Sequence, residues 1–578
     1  MSDFFTNPQN ILHRQYEALR SFLHEKKSAA EVAEKFGYTV STLYSLVRDF
    51  KERLKDNSAE NFFFAQNKIG RKPREDHDEL HTLIVMLRKK YLSVPDIKSI
   101  LDTQKHSISE KQIYNILKAD GFARLPRRNT PQKDMKLTES LPISAPKTVI
   151  LENKEEEFNT CSAGIVSFLP LIKTYGIEEM ILSSNYPGTT TLPVFNSIMA
   201  FLALKLSDIR RYTVDDLWCM DRGLGLFAGL NVLPKAAWYS SYSHRTTREM
   251  NVAFLKKMNA LWQEKGLLSD TNNLDFVAVP YWGEDDHLEN NWSGTRHQAL
   301  PSILAAIAQD QDTGIMTYGD TGVRHDNSAD VVVEFLDFYK ASAGDDLKYL
   351  VFDSKFTVYE NLRKLDNNNV KFITIRRRGK KILQEIEAIN SKDWNIDRIE
   401  TSNGKTRTLK TLDQKIFLKE YGKEIRQISI TGHGKVKPAL IITNDFDLSR
   451  RDVIRKYAKR WLVEKNISEQ THFFHLNKVS SSMVIKVDFD LTMTILAHNL
   501  YRLLARDLEG FENATAQTLY EKFIRNDGTV TADHENITVS LKKKRNLPAI
   551  LTAMNKFLPT SIDWLQGRSL TINGASYS

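Results

Sequence analysis

The stretch YAKRWLVEKNISEQ, residues 457–470, has the spacing of a helix with one unusual face. Four side chains stand at positions i, i+3, i+4 and i+7, which lie on the same side of an α-helix: Tyr457, Arg460, Trp461 and Glu464. A carboxylate on such an aromatic stripe requires an explanation. The simplest is a surface glutamate paired within one turn to a basic neighbour. The alternative depends on whether carboxylates elsewhere in the chain meet Glu464.

Composition narrows the class of protein. The 578 residues are enough for several domains, and 81 Lys and Arg against 72 Asp and Glu give a net charge of +9, which suits a polyanionic partner. Two cysteines, Cys161 and Cys219, provide neither a disulfide framework nor a cysteine zinc site. The longest apolar run, 192–206, is too short to span a bilayer, and no export signal is seen at the N-terminus. The composition predicts a cytoplasmic protein with no membrane partner.

A helix-turn-helix is predicted within residues 1–58. In SAAEVAEKFGYTVSTLYSLVRDF, 28–50, Ala33 lets two helices touch, Gly37 turns the corner and Leu43 anchors the second helix. Three residues of the second helix are predicted to face outward and contact DNA: Thr42, Tyr44 and Arg48.

A second unit, 70–130, repeats this plan in 93–122, where Ser109 is a good N-cap and Ile113, Ile116 and Leu117 form a buried stripe. Its outward residues are predicted to contact DNA: Lys111, Gln112 and Asn115. The basic stretches on either side are predicted to contact phosphates: Arg71, Lys72, Arg127 and Arg128. One such helix pair is as often an ordinary hairpin, but two in tandem favour DNA binding.

The rest of the chain completes a multidomain pattern. A linker, 131–159, precedes a helical section, 160–268. Residues 270–505 read as three strands, a helix, a strand, a helix and a strand, which predicts an α/β domain with a mixed sheet. Within it, about 379–448 alternates like antiparallel strands and predicts a β-rich insertion. The C-terminal region, 506–578, is predicted to be helical.

Two aspartates of the α/β region lie where strands rarely place them. Asp275 interrupts the strand NLDFVAV, and Asp353 ends the strand KYLVFD. Taken alone, Asp275 could face solvent on an edge strand and Asp353 could form a turn. Together with Glu464 they converge only if the helix packs on the sheet, and three close carboxylates need divalent cations to offset their repulsion. Carboxylates favour Mg²⁺ or Mn²⁺, and paired ions of this kind catalyse phosphoryl displacement.

These residues resemble a DDE transposase of a bacterial insertion sequence, with a retroviral-integrase-like (RNase H-like) catalytic domain. The closing helix of that group carries Tyr, two residues, Arg, three residues, Glu, six residues and Lys. Tyr457, Arg460 and Glu464 match this signature, whereas Thr471 stands at the Lys position. Lys478, two turns later, is the candidate substitute and a predicted DNA contact.

The resemblance implies a mechanism and a set of partners. Asp275, Asp353 and Glu464 would hold two Mg²⁺ ions, with Mn²⁺ as a substitute, which activate water to cut one strand at the transposon end. The freed 3′-hydroxyl would then join target DNA, while Tyr457 and Arg460 hold flanking phosphates. The implied partners are double-stranded DNA and a second copy of the chain, in a nucleoid-associated protein. The alternatives are a catalytically silent DNA-binding regulator and a metal-dependent, structure-specific nuclease.

Several weaker candidates compete for these roles. Asp285 and Asp286 follow the first strand and are the alternative first ligands. Glu469 is the alternative to the helix glutamate, although it lies about 140° around the helix from it. His325 and Asp326 lie in a turn within 318–330, where helix capping is favoured over metal binding. Trp394, in the insertion, either stacks on an unpaired base or occupies an ordinary core or surface position.

Overall fold

The computed structural model divides the chain into two units, Met1–Leu80 and His81–Ser578. It describes residues 8, 10–55, 63, 77–89, 92–103, 106–120, 122, 149–210, 217–280, 288–293, 298–344, 346–400, 406–434, 437–476 and 484–574. Five predicted DNA contacts lie outside these ranges: Arg71, Lys72, Arg127, Arg128 and Lys478.

The first unit contains three described helices, α1 to α3: Ile11–Leu23, Ala29–Phe36 and Val40–Lys55. Ser28 caps α2 at its start, and Gly37 ends it with a φ of 72°, a left-handed conformation that glycine adopts without strain. Ala33 and Leu43 are buried. These residues therefore lie in two packed helices joined by a short turn, and the assignment of this pair as a DNA-binding helix-turn-helix remains a prediction.

The later helices, α4 to α19, are His77–Lys89, Val94–Thr103, Glu110–Ala119, Phe168–Thr174, Ile177–Leu182, Val194–Leu206, Arg222–Phe227, Ala236–Tyr242, Arg248–Glu264, Val331–Ala343, Tyr359–Asn367, Lys380–Glu387, Arg450–His472, Val484–Asp507, Ala516–Leu519 and Leu547–Met554. The strands, β1 to β15, are Glu156–Thr160, Thr271–Pro280, Asn290–Ser293, Gln298–Asp310, Met316–Val323, Tyr349–Phe352, Lys371–Ile375, Asn395–Glu400, Thr406–Leu418, Lys423–Thr431, Ala439–Thr443, Gly528–Ala532, Asn536–Leu541, Thr560–Ile562 and Arg568–Gly574.

A mixed sheet of ten strands, counted over the described residues, lies at the centre of the larger unit. Its order is β3-β4-β2-β6-β7-β11-β10-β9-β8, with β5 paired to β4. Strands β2, β6 and β7 are parallel to one another, and β4 is antiparallel to β2. Along the chain, β2, β4 and β5 are followed by α13, β6, α14 and β7. This is the element order that the sequence predicts for the α/β region, with the short β3 as an addition.

The helical section is part of the same core as the sheet. Helix α9, formed from the long apolar run, is buried along almost its whole length and packs against α17. Lys205 on α9 donates a hydrogen bond of 2.7 Å to Asp490 on α17. A helix that is apolar on all sides must be surrounded by protein, so the predicted section 160–268 does not stand apart. None of the described helices is both long and apolar enough to cross a membrane.

The β-rich insertion extends the central sheet. Strand β11 pairs antiparallel with β7, so β8 to β11 continue the sheet beyond its parallel strands. The insertion forms a second apolar core with the sheet and α16, in which Val351 and Ile373 of the sheet contact Ile428 of the insertion and Val453 of α16. The insertion therefore packs against α16, the helix that carries Tyr457, Arg460 and Glu464.

The prediction of a helical C-terminal part is wrong. Residues after 506 contribute four strands to a five-stranded sheet of order β1-β12-β13-β15-β14. The fifth strand, β1, comes from the predicted linker and pairs with β12, with Glu156 opposite Ala532. Segments such as NITVSL alternate buried and exposed positions, which is the period of a strand. The linker prediction is therefore wrong for residues 156–159.

The second helical pair, α5 and α6, belongs to the body that contains the sheet. Helix α5 packs against α12 and α17. The carbonyl of Thr103, a fully buried residue at the end of α5, accepts a hydrogen bond of 3.4 Å from Arg248 of α12. His106, in the turn before α6, bonds to Arg324 at 3.1 Å. The pair is therefore not a detachable arm, unlike the separate unit predicted for 70–130.

Candidate active site

Asp275 and Asp353 lie side by side on neighbouring parallel strands. The last paired residues of β2 and β6 are Leu274 and Phe352, and each aspartate is the next residue of its chain. Adjacent strands are about 4.8 Å apart, so the two carboxylates start from neighbouring positions on the same face of the sheet. Strand β2 lies between β4 and β6, so the edge-strand explanation of Asp275 is wrong. The two aspartates form the centre of the candidate site.

The local geometry explains why an aspartate ends β6. One carboxylate oxygen of Asp353 accepts a 2.7 Å hydrogen bond from the backbone N–H of Ser354 and so caps a short 3₁₀ turn, Ser354–Phe356. The ring of Phe356 stacks on Phe276 of β2, with centroids 3.9 Å apart and planes 13° from parallel. Asp353 is thus a turn former, as its position alone suggested. The same turn also fixes it beside Asp275.

Helix α16 places the guanidinium of Arg460 beside this pair of aspartates. Arg460 Nη1 donates to Asp275 Oδ2 at 2.6 Å, and the two side chains are 5% and 15% exposed. Burial raises the pKa of Tyr457 to about 12; the Arg460 guanidinium opposes this rise, and the carboxylates of Asp353 and Asp275 add to it. All four groups are therefore within electrostatic reach of one another.

This arrangement differs from the predicted roles of Tyr457 and Arg460. Tyr457 is 9% exposed and packs in the second core, and Arg460 is 4% exposed. Side chains buried to this extent do not contact a DNA phosphate in this conformation. The phosphate contacts of Tyr457 and Arg460 therefore remain predictions, whereas the contact of Arg460 with Asp275 was not predicted, because the carboxylate lies on a strand distant in sequence.

Glu464 follows Arg460 by one helical turn within α16, and its side chain is not among those that the structure describes. Residues four apart are neighbours on a helix surface. Helix α16 also packs on both β2 and β6, the strands that carry the two aspartates. Over the described side chains, no group of three or more His, Cys, Asp or Glu could hold a metal ion. The convergence of Glu464 with Asp275 and Asp353 therefore remains a prediction.

A buried carboxylate of the insertion holds the start of the closing helix. Asp397 on β8 is 1% exposed and accepts hydrogen bonds from Arg450 at 2.6 Å and from Arg451 at 2.9 Å. The hydroxyl of Thr411 donates to it at 2.6 Å. These contacts, with Arg450 contributing most, hold the pKa of Asp397 well below its usual range despite its burial. Asp397 was not among the predicted site residues. It lies two residues before Ile399 in NIDRIE, so the two side chains share the buried face of the strand.

The contribution of Asp397 to stability should depend on pH. A carboxylate with a depressed folded-state pKa stabilises the protein above its unfolded pKa, near 4, and loses that effect as the pH falls through the folded pKa. Asp397→Asn should therefore lower the free energy of unfolding at pH 7 by about 2 kcal/mol, a moderate value because both arginines are partly exposed. Urea unfolding from pH 7 to pH 3 should show this deficit shrinking. The exposed Asp393→Asn, in the preceding turn, is the control, and a deficit that does not change with pH would contradict the ion-pair role.

The predicted DNA-reading residues that the structure describes are exposed, but one of them already makes a structural hydrogen bond. Tyr44 is 55% exposed, and Thr42, Arg48, Lys111 and Asn115 are also exposed. Gln112, however, accepts a hydrogen bond from the backbone N–H of Ser109 at 3.1 Å as part of a capping box. Its side chain is therefore already used to start helix α6.

The weaker candidates have structural roles or lie outside the description. Asp285 and Asp286 are not described. Glu469 is 9% exposed and accepts from the backbone N–H of Ala516 at 3.3 Å, away from the aspartate pair. His325 does not cap α13; its ring bonds to Asn291 at 2.8 Å. Trp394, just before β8, is half-buried.

Comparison with known proteins supports the interpretation of this region. Residues 284–500 match the family model described as a transposase DDE domain. That match contains Asp353 and Glu464 and begins after Asp275, so the place of Asp275 in the site rests on the strand register.

Among solved structures, the chain is similar to the cryo-EM structure of the piggyBac transposase synaptic complex with hairpin DNA. The identity is 12% and the TM-score 0.33, over 71% of this chain and 86% of that chain. No curated protein sequence matches the chain. A relation to bacterial insertion sequences in particular remains a prediction. Residues 284–500 are therefore identified as a transposase DDE domain.

Proposed function

We propose that this protein binds the ends of a transposable element, cuts them and joins the freed 3′-hydroxyl ends to target DNA. The observation that carries the proposal is the aspartate pair. Asp275 and Asp353 are in register on adjacent strands, with a helix bearing Arg460 and Glu464 packed across both. Neighbouring carboxylates repel one another and so destabilise the fold, whereas the same arrangement can bind the cations that phosphoryl transfer uses.

The residues fit a divalent cation site. Asp275 already takes a positive group, since the Arg460 guanidinium lies 2.6 Å from its carboxylate. Carboxylate oxygens on the same face of adjacent strands are hard ligands of the kind that Mg²⁺ and Mn²⁺ prefer. Asp275, Asp353 and Glu464 would hold two such ions. When bound, divalent cations supply Lewis-acid stabilisation of the attacking and leaving oxygens of an in-line displacement.

The proposed reaction consists of two phosphoryl-transfer steps on DNA. In the first step a water oxygen loses a proton and forms a bond to the scissile phosphorus, while the bond to the 3′-oxygen breaks and that oxygen takes up a proton and leaves as a 3′-hydroxyl. In the second step that hydroxyl loses its proton and forms a bond to a target phosphorus, while another 3′-oxygen leaves and takes up a proton. The 3₁₀ turn after Asp353 and the Phe356–Phe276 stack keep the carboxylates preorganised for both steps.

End recognition is assigned to the first unit together with helix α6. The packing of α5 against α12 and α17 changes how this should be tested, because removal of residues 1–130 would expose part of the core. Deletion of residues 1–58 should instead lower the affinity for the element's own ends by about 100-fold, while metal-dependent nicking at high protein concentration survives. Footprinting on end DNA provides the measurement. Unchanged protection of the ends by the shortened protein would contradict this assignment.

A strand-transfer assay tests the function as a whole. A labelled duplex carrying one end of the element, incubated with plasmid and Mg²⁺, should be nicked and then covalently joined to the plasmid. We also propose that two copies of the chain act together, one per end, so the mass of a paired-end complex should correspond to two chains. Nicking without joining would instead favour a structure-specific nuclease, and binding without nicking would favour a DNA-binding regulator.

A further inference from the structure

The hairpin formed by β3 and β4 extends along the sheet beyond the aspartate pair. Strand β6 ends beside Asp353, whereas β2 continues five residues beyond Asp275 to Pro280. Past that point β3 pairs with the first residues of β4, with Asn290 opposite Pro301 and Ser293 opposite Gln298. The sheet therefore has a step, with the candidate site on the lower level and the β3–β4 hairpin projecting beyond it.

Trp292 lies on the sheet face that carries the aspartates. Asp275 is paired directly with Ile307 of β4, and Trp292 with Ala299 of the same strand. Residues paired directly across antiparallel strands share a face, and positions an even number apart on one strand share a face. Ile307 and Ala299 are eight positions apart, since 307 − 299 = 8, so Trp292 and Asp275 point to the same side.

The hairpin is anchored at its base, and the tryptophan is left outside the core. The Asn291 side chain bonds to the His325 ring at 2.8 Å, and Glu289 accepts from the His325 backbone N–H at 2.9 Å. Asn291 is buried, whereas the neighbouring Trp292 is 61% exposed. A tryptophan contributes strongly to folding or binding when it is buried. An exposed Trp292 on a hairpin that is fixed by hydrogen bonds therefore indicates a binding surface.

The base of the hairpin is also connected to the second helical pair. Arg324, adjacent to His325, lies 3.9 Å from the Glu289 carboxylate and 3.1 Å from the His106 ring. His106 precedes Ser109, the cap of α6, by three residues. The exposed residues of α6, the hairpin and the aspartate pair therefore belong to one connected structure, which can hold a single extended ligand.

We propose that Trp292 stacks on a base of the element's end DNA, at a fixed distance from the cleaved phosphate. The inference rests on the proposed function. Eight residues of antiparallel strand span roughly 27 Å, which corresponds to about eight base pairs of B-form DNA. An aromatic ring suits this role because every unstacked base presents a flat π-face, whatever the sequence, and an inserted side chain can partially unstack a base step of a duplex. The net charge of +9 favours a nucleic acid over an apolar protein partner.

The experiment uses the full chain and a duplex that carries one end of the element, in EDTA so that no cutting occurs. The fluorescent base 2-aminopurine is moved stepwise along the duplex. Wild-type protein should change its fluorescence most at about eight nucleotides from the cut. Trp292→Ala should remove that change and weaken binding by about tenfold, whereas Trp292→Phe should keep most of both effects.

Leu182→Ala is the matched control, because Leu182 is similarly exposed, at 59%, and lies in the helical section. It should bind the end DNA like wild type. If Trp292→Ala binds and perturbs the bases like wild type, or if the signal arises only on target DNA, the inference is overturned. Cutting in Mg²⁺ by the wild-type protein is scored separately, so loss of the stacking proposal and loss of the proposed function give different results.

Discussion

Glu464→Gln, Asp275→Asn and Asp353→Asn should each reduce DNA cleavage and joining by about three orders of magnitude or more, because electrostatic stabilisation of the transition state by bound cations is a dominant catalytic contribution. Each change keeps the size of the side chain and removes the charge that binds a cation. Double variants should lose little more than single ones, since the ligands of one site act as a unit. The rate of nicking of end DNA in Mg²⁺ measures the effect. DNA binding should persist in all three variants.

The three variants should differ in stability, and the structure indicates how. Asp275→Asn leaves the buried Arg460 guanidinium without its carboxylate, so this protein should unfold at a lower temperature in EDTA. Asp353→Asn retains an oxygen that accepts from the Ser354 N–H, so its turn should survive. A loss of cleavage shared by all three, with loss of stability mainly in one, separates catalysis from folding.

Controls for this prediction come from the competing carboxylates. Asp285→Asn and Asp286→Asn test the loop inside the matched family region. Glu469→Gln retains an acceptor for the Ala516 N–H and lies on the same helix as Glu464. All three controls should cleave like wild type. Inactive Asp286→Asn beside active Asp275→Asn would move the first ligand into the loop, and active Glu464→Gln would return that residue to the helix surface.

Arg460→Gln should make the metal-free protein less stable while making Mn²⁺ bind more tightly. In the structure Arg460 occupies one carboxylate oxygen of Asp275, at 2.6 Å, so a cation entering the site has to compete with it. Removal of the guanidinium breaks the ion pair of a largely buried carboxylate, at a cost of about 3 kcal/mol in EDTA. Saturating Mn²⁺ should recover most of that loss, because ligand binding to the folded state alone stabilises it.

The measurements are thermal unfolding with and without Mn²⁺, and Mn²⁺ affinity by electron paramagnetic resonance. Arg455→Gln is the matched control, since Arg455 lies on the same helix but is exposed and pairs with Asp452 at 3.1 Å. It should change neither quantity appreciably. An Arg460→Gln protein with wild-type Mn²⁺ affinity would show that the guanidinium does not compete for Asp275.

Asp397 connects the insertion to helix α16. It ties Arg450 and Arg451, at the first turn of α16, to strand β8, three turns before Arg460. The insertion also contributes Ile428 and Leu409 to the core that holds Tyr457. The insertion therefore helps to set the position of the helix that brings Arg460 and Glu464 to the sheet, whatever contacts it makes with DNA.

Local patterns in the sequence determined much of this protein. Short apolar runs predicted the order of β2, β4, β5, β6 and β7, and helical spacing placed Tyr457, Arg460 and Glu464 on one helix. Gly37 and Ser109 marked a helix end and a helix start correctly, because capping is governed by residues within one turn. Asp275 and Asp353 stood out because a strand has no local use for such residues.

Tertiary structure decided what these local patterns could not. The register that sets Asp275 beside Asp353, the contact of Arg460 with Asp275 and the hold of Asp397 on Arg450 all join residues far apart in the chain. So does the pairing of β1 with β12, which turned a predicted linker and a predicted helical tail into one sheet. Local sequence encodes backbone preference and periodicity, whereas the partner of a strand edge or a buried charge depends on which distant surface covers it. For that reason the sequence drew attention to Asp275, Asp353 and Arg460 but did not predict the contact of Arg460 with Asp275.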